Sequence, residues 1–427
     1  MKPSGIEWIG DIPDDWEVTK ISRLYSIQLG KMLQPEKKSS GDTYEPYICA
    51  ANLSSGTFRL DEVKYMWISE PEKDIYRLKR DDLLVTEGGD VGISSIWKDD
   101  ISPCYFQNAL HRVVPKKGNS NRFLHYWLIV LKSVGYIDLI CNKSTIAHFT
   151  KEKFAQSLIL SIPLQTQQRI ADYLDEKCGE IDATIAKQKE SIEKLKAYKQ
   201  SLISETVTKG LDKSAPLKSS GIEWIGDIPA HWEVCKIKNH CNLKTGSTPS
   251  SKDLSMFDGT ENWFTPSDFT ENYMLKNSLR RLNAKVFDQN LVPIFPPLSV
   301  LIVGIGATTG KVGFTTSKSS SNQQITAIIP KNKNIFPKFL LFWMIANTKM
   351  IRETALFTTL PILNNDTLGN ATLLIPPYKE QLELASYIEN KNIEIDVIIN
   401  KKQNIIQKLD AYKKSLIFEC VTGKTDL

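Results

Sequence analysis

Apolar residues recur at alternating spacings of three and four through two long stretches of the chain. From about Gln165 to Thr208, one row holds Ala171, Cys178, Ile185 and Ile192 and the other Leu174, Ile181, Leu195 and Leu202, with Gln188 and Lys199 as polar breaks. The second stretch has Ala385, Asn392, Ile399 and Ile406 beside Ile388, Ile395, Leu409 and Leu416, broken by Lys402 and Lys413. Two rows sustained over several heptads predict a coiled-coil seam rather than the stripe of an ordinary surface helix. At about 1.5 Å per residue, roughly 40 residues make a helix of about 60 Å.

Elsewhere the pattern is different. Short apolar runs such as Tyr47 to Ala51, Leu83 to Thr86 and His111 to Val114 are separated by Gly, Asn, Asp and Ser, which predicts short strands and turns, with one helix at Phe123 to Leu131. Residues 235–373 repeat this plan: Val300 to Val303 parallels Leu83 to Thr86, and Phe339, Leu340 and Trp343 parallel Phe123, Leu124 and Trp127. Gln107-Asn108 precedes a strand ending at Pro115 as Asn322-Gln323 precedes one ending at Pro330.

The duplication is explicit at both ends of each copy. Ser4 to Pro13 and Ser220 to Pro229 both read SGIEWIGDIP, each followed after two residues by Trp-Glu-Val. Glu180-Ile-Asp followed by EKLKAYKQSLISETVT returns as Glu394-Ile-Asp followed by QKLDAYKKSLIFECVT. A period of half the chain makes this two copies of one unit. The boundaries are an opening motif over 1–18 that packs on the helices, a body over 19–160, a helix over 161–208, a linker over 209–219, the repeated motif over 220–234, a second body over 235–373 and a second helix over 374–422. The fold class is α+β, with two mixed α/β bodies each followed by a long helix. A self-associating stalk would carry the same seam; one helix in each related half favours an intramolecular pair, which a pseudo-two-fold relation makes antiparallel.

With 427 residues, the chain holds several domains of about 100–200 residues each. No stretch approaches the roughly 18 consecutive apolar residues of a membrane span, and MKPSGIEWIG lacks an apolar signal core, so a cytoplasmic protein is expected. The 7 cysteines are scattered without a C-x-x-C pair, as in a reducing compartment, and Cys235, His240 and Cys241 have no second ligand pair at zinc-finger spacing. Formal net charge is +5, and the positive excess sits in the two bodies, where contact with phosphates would need it.

Motifs for chemistry are incomplete. Gly304 to Lys311 (GIGATTGK) has one residue too many between its glycines for a Walker A loop, and Val312 stands where Ser or Thr is needed. Ile375-Pro-Pro-Tyr378 has the outline of an amino-methyltransferase loop, but Ile375 replaces the residue that would hold the target amine. Glu62-Val-Lys64 matches part of a nuclease pattern, and the 5 histidines form no spaced ligand or base motif.

The doubled order of W-I-G-D-I-P-x-x-W-E, variable body, Pro-led helix start (Pro163 to Ile170, PLQTQQRI) and coiled-coil helix resembles the specificity subunit of type I restriction-modification enzymes over essentially the whole chain. The second helix start (Pro376-Pro-Tyr-Lys-Glu-Gln) differs, with Glu383 where the first copy has Arg169. The resemblance implies that each body is a target-recognition domain reading one half of a bipartite, gapped sequence in double-stranded DNA. It implies helices that set the spacer and dock two methyltransferase subunits, with restriction/translocase subunits outside and no membrane partner. The chain itself would be non-catalytic and without a cofactor, S-adenosylmethionine being held by the partner methyltransferase.

Base or phosphate contacts need donors on loops. The candidates are Lys31, Lys37, Lys38, Gln107, Asn108, Lys143, Thr145 and His148 in the first body. In the second they are Thr245, Ser247, Thr248, Ser250, Ser251, Lys252, Thr308, Thr309, Lys311, Asn322, Gln323 and Gln324. Asn and Gln suit adenine, Lys suits guanine or phosphate. Two other readings of the residues stay open: a nuclease using Glu62 and Lys64, and a homo-oligomeric coiled-coil protein.

Overall fold

The computed structural model describes residues 1–54, 56–141, 147–250, 253–353, 356–357 and 361–425. It divides into two compact units, Met1–Gln188 with Gln403–Leu427, and Lys189–Lys402.

The first unit is built on seven strands: β1 Tyr25–Leu29, β2 Thr43–Ile48, β3 Lys64–Ile68, β4 Leu83–Thr86, β5 Ser94–Ile96, β6 Tyr105–Phe106 and β7 Leu110–Pro115. An antiparallel sheet runs β5-β4-β7-β1, and a smaller one runs β6-β2-β3 with its first pair parallel. Every residue of β4 is buried, as its unbroken apolar run LLVT requires. Helix α1 Asn121–Ser133 covers the larger sheet, placing Phe123, Leu124, Trp127, Leu128 and Leu131 in one cluster with Leu83, Val85 and Val113. A last strand, Leu158–Ser161, pairs with Glu17–Lys20 and delivers the chain to the long helix α2, Leu164–Lys209.

The second unit repeats this order with β8 Cys241–Thr245, β9 Glu261–Phe264, β10 Arg280–Leu282, β11 Ser299–Val303, β12 Val312–Thr315, β13 Ser319–Ser321 and β14 Ile325–Pro330. Its sheets run β12-β11-β14-β8 and β13-β9-β10, the same sequence of pairings, again with one parallel pair. Helix α3 is Pro337–Glu353, the closing strand pair is Glu233–Lys236 with Thr372–Ile375, and the long helix α4 is Tyr378–Val421. Two bodies with little sequence in common thus share one topology.

The heptad rows predict the helix contacts within each unit. In the first unit Ala171, Leu174, Cys178, Ile181 and Ile185 are buried, Lys413 pairs with Asp182 at 2.6 Å, and Cys178 lies beside Cys420. In the second unit Lys199 pairs with Asp396 at 2.7 Å, and Glu380 Oε1 lies 3.3 Å from where a Cβ on Gly210 would be. In both, residue numbers rise on one helix as they fall on the other, so the pairing is antiparallel. Leu195, Ile406 and Leu409 are only half-buried. Asn392 occupies a buried seam position.

Each opening motif is a turn that plants anchors. The Ile6 carbonyl accepts from the N–H of Ile9 and Gly10, which holds Gly10 at φ 69°, a conformation that favours glycine. Ile9, Ile12 and Trp16 are then buried, and Trp8 sits 5.9 Å from Trp127 and 6.5 Å from Phe418. In the second unit Trp232 is fully buried and its indole N–H donates to Glu380 at 3.0 Å.

Body and long helix are joined by one glutamine in each unit. Gln167 accepts from the Ser120 N–H at 2.9 Å and donates to the Ile162 carbonyl at 2.9 Å. Gln381 accepts from the Phe336 N–H at 2.8 Å and donates to the carbonyls of Asn334 and Pro376 at 2.9 and 2.8 Å. The tryptophans reinforce the joint, Trp127 donating to the Leu158 carbonyl at 2.7 Å and Trp343 to that of Thr372 at 2.9 Å. A buried amide that satisfies main-chain groups cannot be removed without orphaning them. Gln167→Leu is therefore expected to lower stability by about 2–4 kcal/mol, read as an earlier midpoint in urea denaturation, while an exposed control such as Gln165→Leu leaves the midpoint unchanged.

Candidate nucleic-acid interface

In each unit four loops meet at one end of the sheets, and a glycine lets them. Gly30 ends β1, and a Cβ there would lie 2.3 Å from the Gln107 carbonyl oxygen. Its neighbour Lys31 donates its N–H to Phe106 and accepts from Asn108, while Gln107 donates to Ile48, so the loops after β1, β2 and β6 are laced by main-chain bonds. Gly246 does the same after β8: a Cβ would lie 2.2 Å from Ser321 Oγ, and Asn322 donates to Phe264. The fourth loop is the hairpin turn, 87–92 in the first unit and 304–311 in the second, held by Phe149 N–H to Glu87 and by Gly304 N–H to Gln324. The glycine-rich segment Gly304 to Lys311 thus joins antiparallel β11 to β12, as a turn and not a helix-capping phosphate loop.

The structure sorts the candidate side chains. Lys31 is a correction: it is buried, and its ammonium bonds Gln34 at 3.0 Å and Glu72 at 2.5 Å, because the loop after β1 folds back over it. Burial alone would raise the Glu72 carboxyl, but Lys31 and Ser69 hold it below the usual range. Asp42 is held low by the N–H of Lys38, against burial, and then by Ser39 and Gln34, so this loop is cross-braced from within. Lys37 and Lys38 remain exposed, Lys37 Nζ resting 5.3 Å over the Trp67 ring. Gln107 and Asn108 are half-buried, and their amides make no hydrogen bond among the described residues. His148 is exposed beside Gly88, and burial raises the nearby Glu87 carboxyl against the pull of His148. Lys143 and Thr145 lie outside the described residues, as do Ser251 and Lys252.

In the second unit two more corrections follow. Thr309 is buried and its hydroxyl donates to the Gly306 carbonyl at 2.6 Å, and Asn322 is buried with its amide donating to Gln324 at 2.9 Å. Gln324 in turn donates to the Ile305 carbonyl at 3.3 Å. These side chains build the turn rather than face a ligand. Thr245 bonds Thr326 and Asn365, and Lys311 donates to the Phe269 carbonyl at 3.0 Å. Gln323 is exposed and accepts from Thr248 at 2.6 Å; Ser247 holds the Trp263 indole through its carbonyl, and Ser250 is exposed.

Between these loops a cavity of about 460 Å³ is lined by Thr265, Ser267, Arg280, Thr308, Asn322 and Gln324. Thr265, Ser267 and Arg280 are residues of this lining that sequence reasoning missed. The basic pair Arg280-Arg281 was visible, but its place beside this turn depends on strand pairing between β9 and β10, across a long polar loop. No group of three or more His, Cys, Asp and Glu among the described residues could hold a metal ion. Among them, too, no helix is long and apolar enough to cross a membrane.

The chain matches the family model described as type I restriction modification DNA specificity domain twice, over residues 13–196 and 229–409. It is 22% identical to the MjaVIII specificity subunit of a type I restriction enzyme from Methanocaldococcus jannaschii, over 97% of this chain and 93% of that one. It is 23% identical to the EcoBI specificity subunit from Escherichia coli, over 82% and 74%. Among solved structures, a chain from work on complex assembly and conformational transition of the type I R-M system superposes with a TM-score of 0.74 at 14% identity, covering 97% of this chain and 100% of that one. The HsdS subunit from Thermoanaerobacter tengcongensis gives 0.53 at 14% identity, over 97% and 98%. These two structures share the fold.

Gly246→Ala tests the packing of the loops. The added Cβ must displace backbone, so a loss of about 1–3 kcal/mol in stability is expected, measured by denaturant unfolding, while Gly41→Ala, in open space, has little effect.

Proposed function

We propose that this chain, which belongs to the type I restriction modification DNA specificity family, reads a bipartite, gapped DNA sequence with one half-site for each of its two bodies. The chain is a specificity subunit of a type I restriction-modification system, a non-catalytic role, with two repeated DNA specificity domains. The observation that carries the finer reading is that the same four loops meet on the same topology in both units while their side chains differ: a Lys-rich, cross-braced loop in one, a Ser- and Thr-rich loop in the other. A shared frame with divergent loops is what two unrelated half-sites require. Phosphate contacts would come from Lys37 and Lys38 and base contacts from Gln107, Asn108, Thr248 and Gln323, each on a loop with an exposed or unspent polar group.

The body limits we propose are 19–160 and 235–373. The long helices would set the spacer and dock two methyltransferase subunits, with restriction/translocase subunits added outside. The methyltransferases would bind S-adenosylmethionine and extrude the target base, since methylation needs that base out of the stack.

A genome-wide map of methylated bases in the source cell, with and without this gene, is the direct test: loss of one gapped motif is expected, and an unchanged map would remove the proposal. Exchanging residues 19–160 for another body is expected to change one half of that motif only. Inserting a heptad after Gln188 and another after Lys402 adds about 10 Å of helix and should widen the gap by about three base pairs. An unchanged gap in the methylation map would separate helix length from spacing.

A further inference from the structure

We infer that Arg280 reads a guanine in the half-site of the second body, and that Lys64 holds the matching position in the first; the inference rests on the function proposed above. Arg280 sits against two rings, its guanidinium carbon 4.5 Å from the centre of Phe257 and 5.2 Å from that of Trp263, the rings themselves meeting edge to face at 74°. Trp263 is itself fixed, buried with its indole N–H on the Ser247 carbonyl at 3.0 Å. The residue stays exposed beside these rings, and among the described residues no carboxylate pairs with its guanidinium. A clamped planar fork of donors matches the two acceptors on the major-groove edge of guanine.

The surroundings favour a base over a phosphate. Arg280 is the only charged residue among the described residues that line the 460 Å³ cavity; the others are Thr, Ser and amide residues together with Pro266, Ile305, Gly306 and Ala307. Phosphate sites collect several cations and gain little from holding one side chain rigid. Asn322 and Gln324 bond each other and the backbone, so Arg280 is left as the strong unspent donor at this turn.

Strand register gives the counterpart. Arg280 faces Trp263 across β10 and β9, and Trp263 faces Ser320 on the parallel strand β13. In the first unit Lys64 faces Tyr47 across β3 and β2, and Tyr47 faces Tyr105 on the parallel strand β6. Lys64 therefore occupies the position of Arg280, and it is exposed with no ion pair among the described residues. This gives a role to the lysine of the Glu62-Val-Lys64 triplet without any nuclease chemistry.

The test is the methylation map of source cells carrying the full-length chain as wild type, Arg280→Lys, Arg280→Gln or Lys64→Gln. Both Arg280 variants are expected to relax preference for one guanine by about 10–100-fold, in one half-site only, because lysine keeps the charge but loses the fork. Lys64→Gln should alter base preference at one position of the other half only. Arg280→Lys with the motif intact and Arg280→Gln with evenly reduced methylation would mean a phosphate contact and overturn the inference. An unchanged motif in every variant, or no methylation with either Arg280 variant in a folded chain, would also overturn it. Should Arg280→Gln fail to fold, Arg280→Lys, which keeps the stem and the charge, decides. A wild-type map without any gapped motif removes the proposed function and this inference with it, whereas a normal wild-type motif with failing variants removes only the guanine assignment.

Discussion

Each body has to meet its long helix at a fixed angle, and one buried glutamine per unit carries that constraint. Gln167 and Gln381 sit at the first turn of α2 and α4, where helix N–H groups and the ends of the preceding strand are short of partners. A single side chain satisfies the strand end below and the loop before α1 or α3 above. Everything else follows from that placement. The tryptophan of α1 or α3 reaches the closing strand, the opening motif finds a buried seat for its isoleucines, and the four meeting loops are carried at the far end of the sheets.

The loop region shows how polar residues divide between building and contacting. Lys31, Thr309, Asn322 and Gln324 carry donors, yet the fold uses each of them to hold neighbouring main chain, a side-chain amide or a half-buried carboxylate. A half-buried ion pair such as Lys31 with Glu72 offsets its own desolvation and adds little net stability. It does fix one loop geometry, which is useful where a rigid binding surface is wanted. The side chains left over are Lys37, Lys38 and Gln323, which the loops push outward, and Arg280 of β10 against its two rings.

The long-range plan was legible in the sequence because periodicity encodes it directly. Most residues of the heptad rows are buried, and the duplicated SGIEWIGDIP motif marks the opening turn of each unit, although the units divide both long helices between them instead of following the two copies. The loop chemistry was less legible for a physical reason. Whether Lys31 faces water depends on the chain folding back eleven residues later at Asp42, and whether Arg280 lies beside Asn322 depends on pairing between strands separated by a long polar loop. Local pattern contains neither fact.

The joints bond almost wholly to main-chain atoms: the N–H of Ser120 and Phe336, and the carbonyls of Ile162, Asn334, Pro376, Leu158 and Thr372. Peptide groups are the same whatever side chains they carry. A body can therefore drift through wholly different sequences, and so through different DNA targets, while presenting an unchanged address to the helix that carries it. The coupling is indifferent to what it couples, so new specificities can arise without renegotiating the frame.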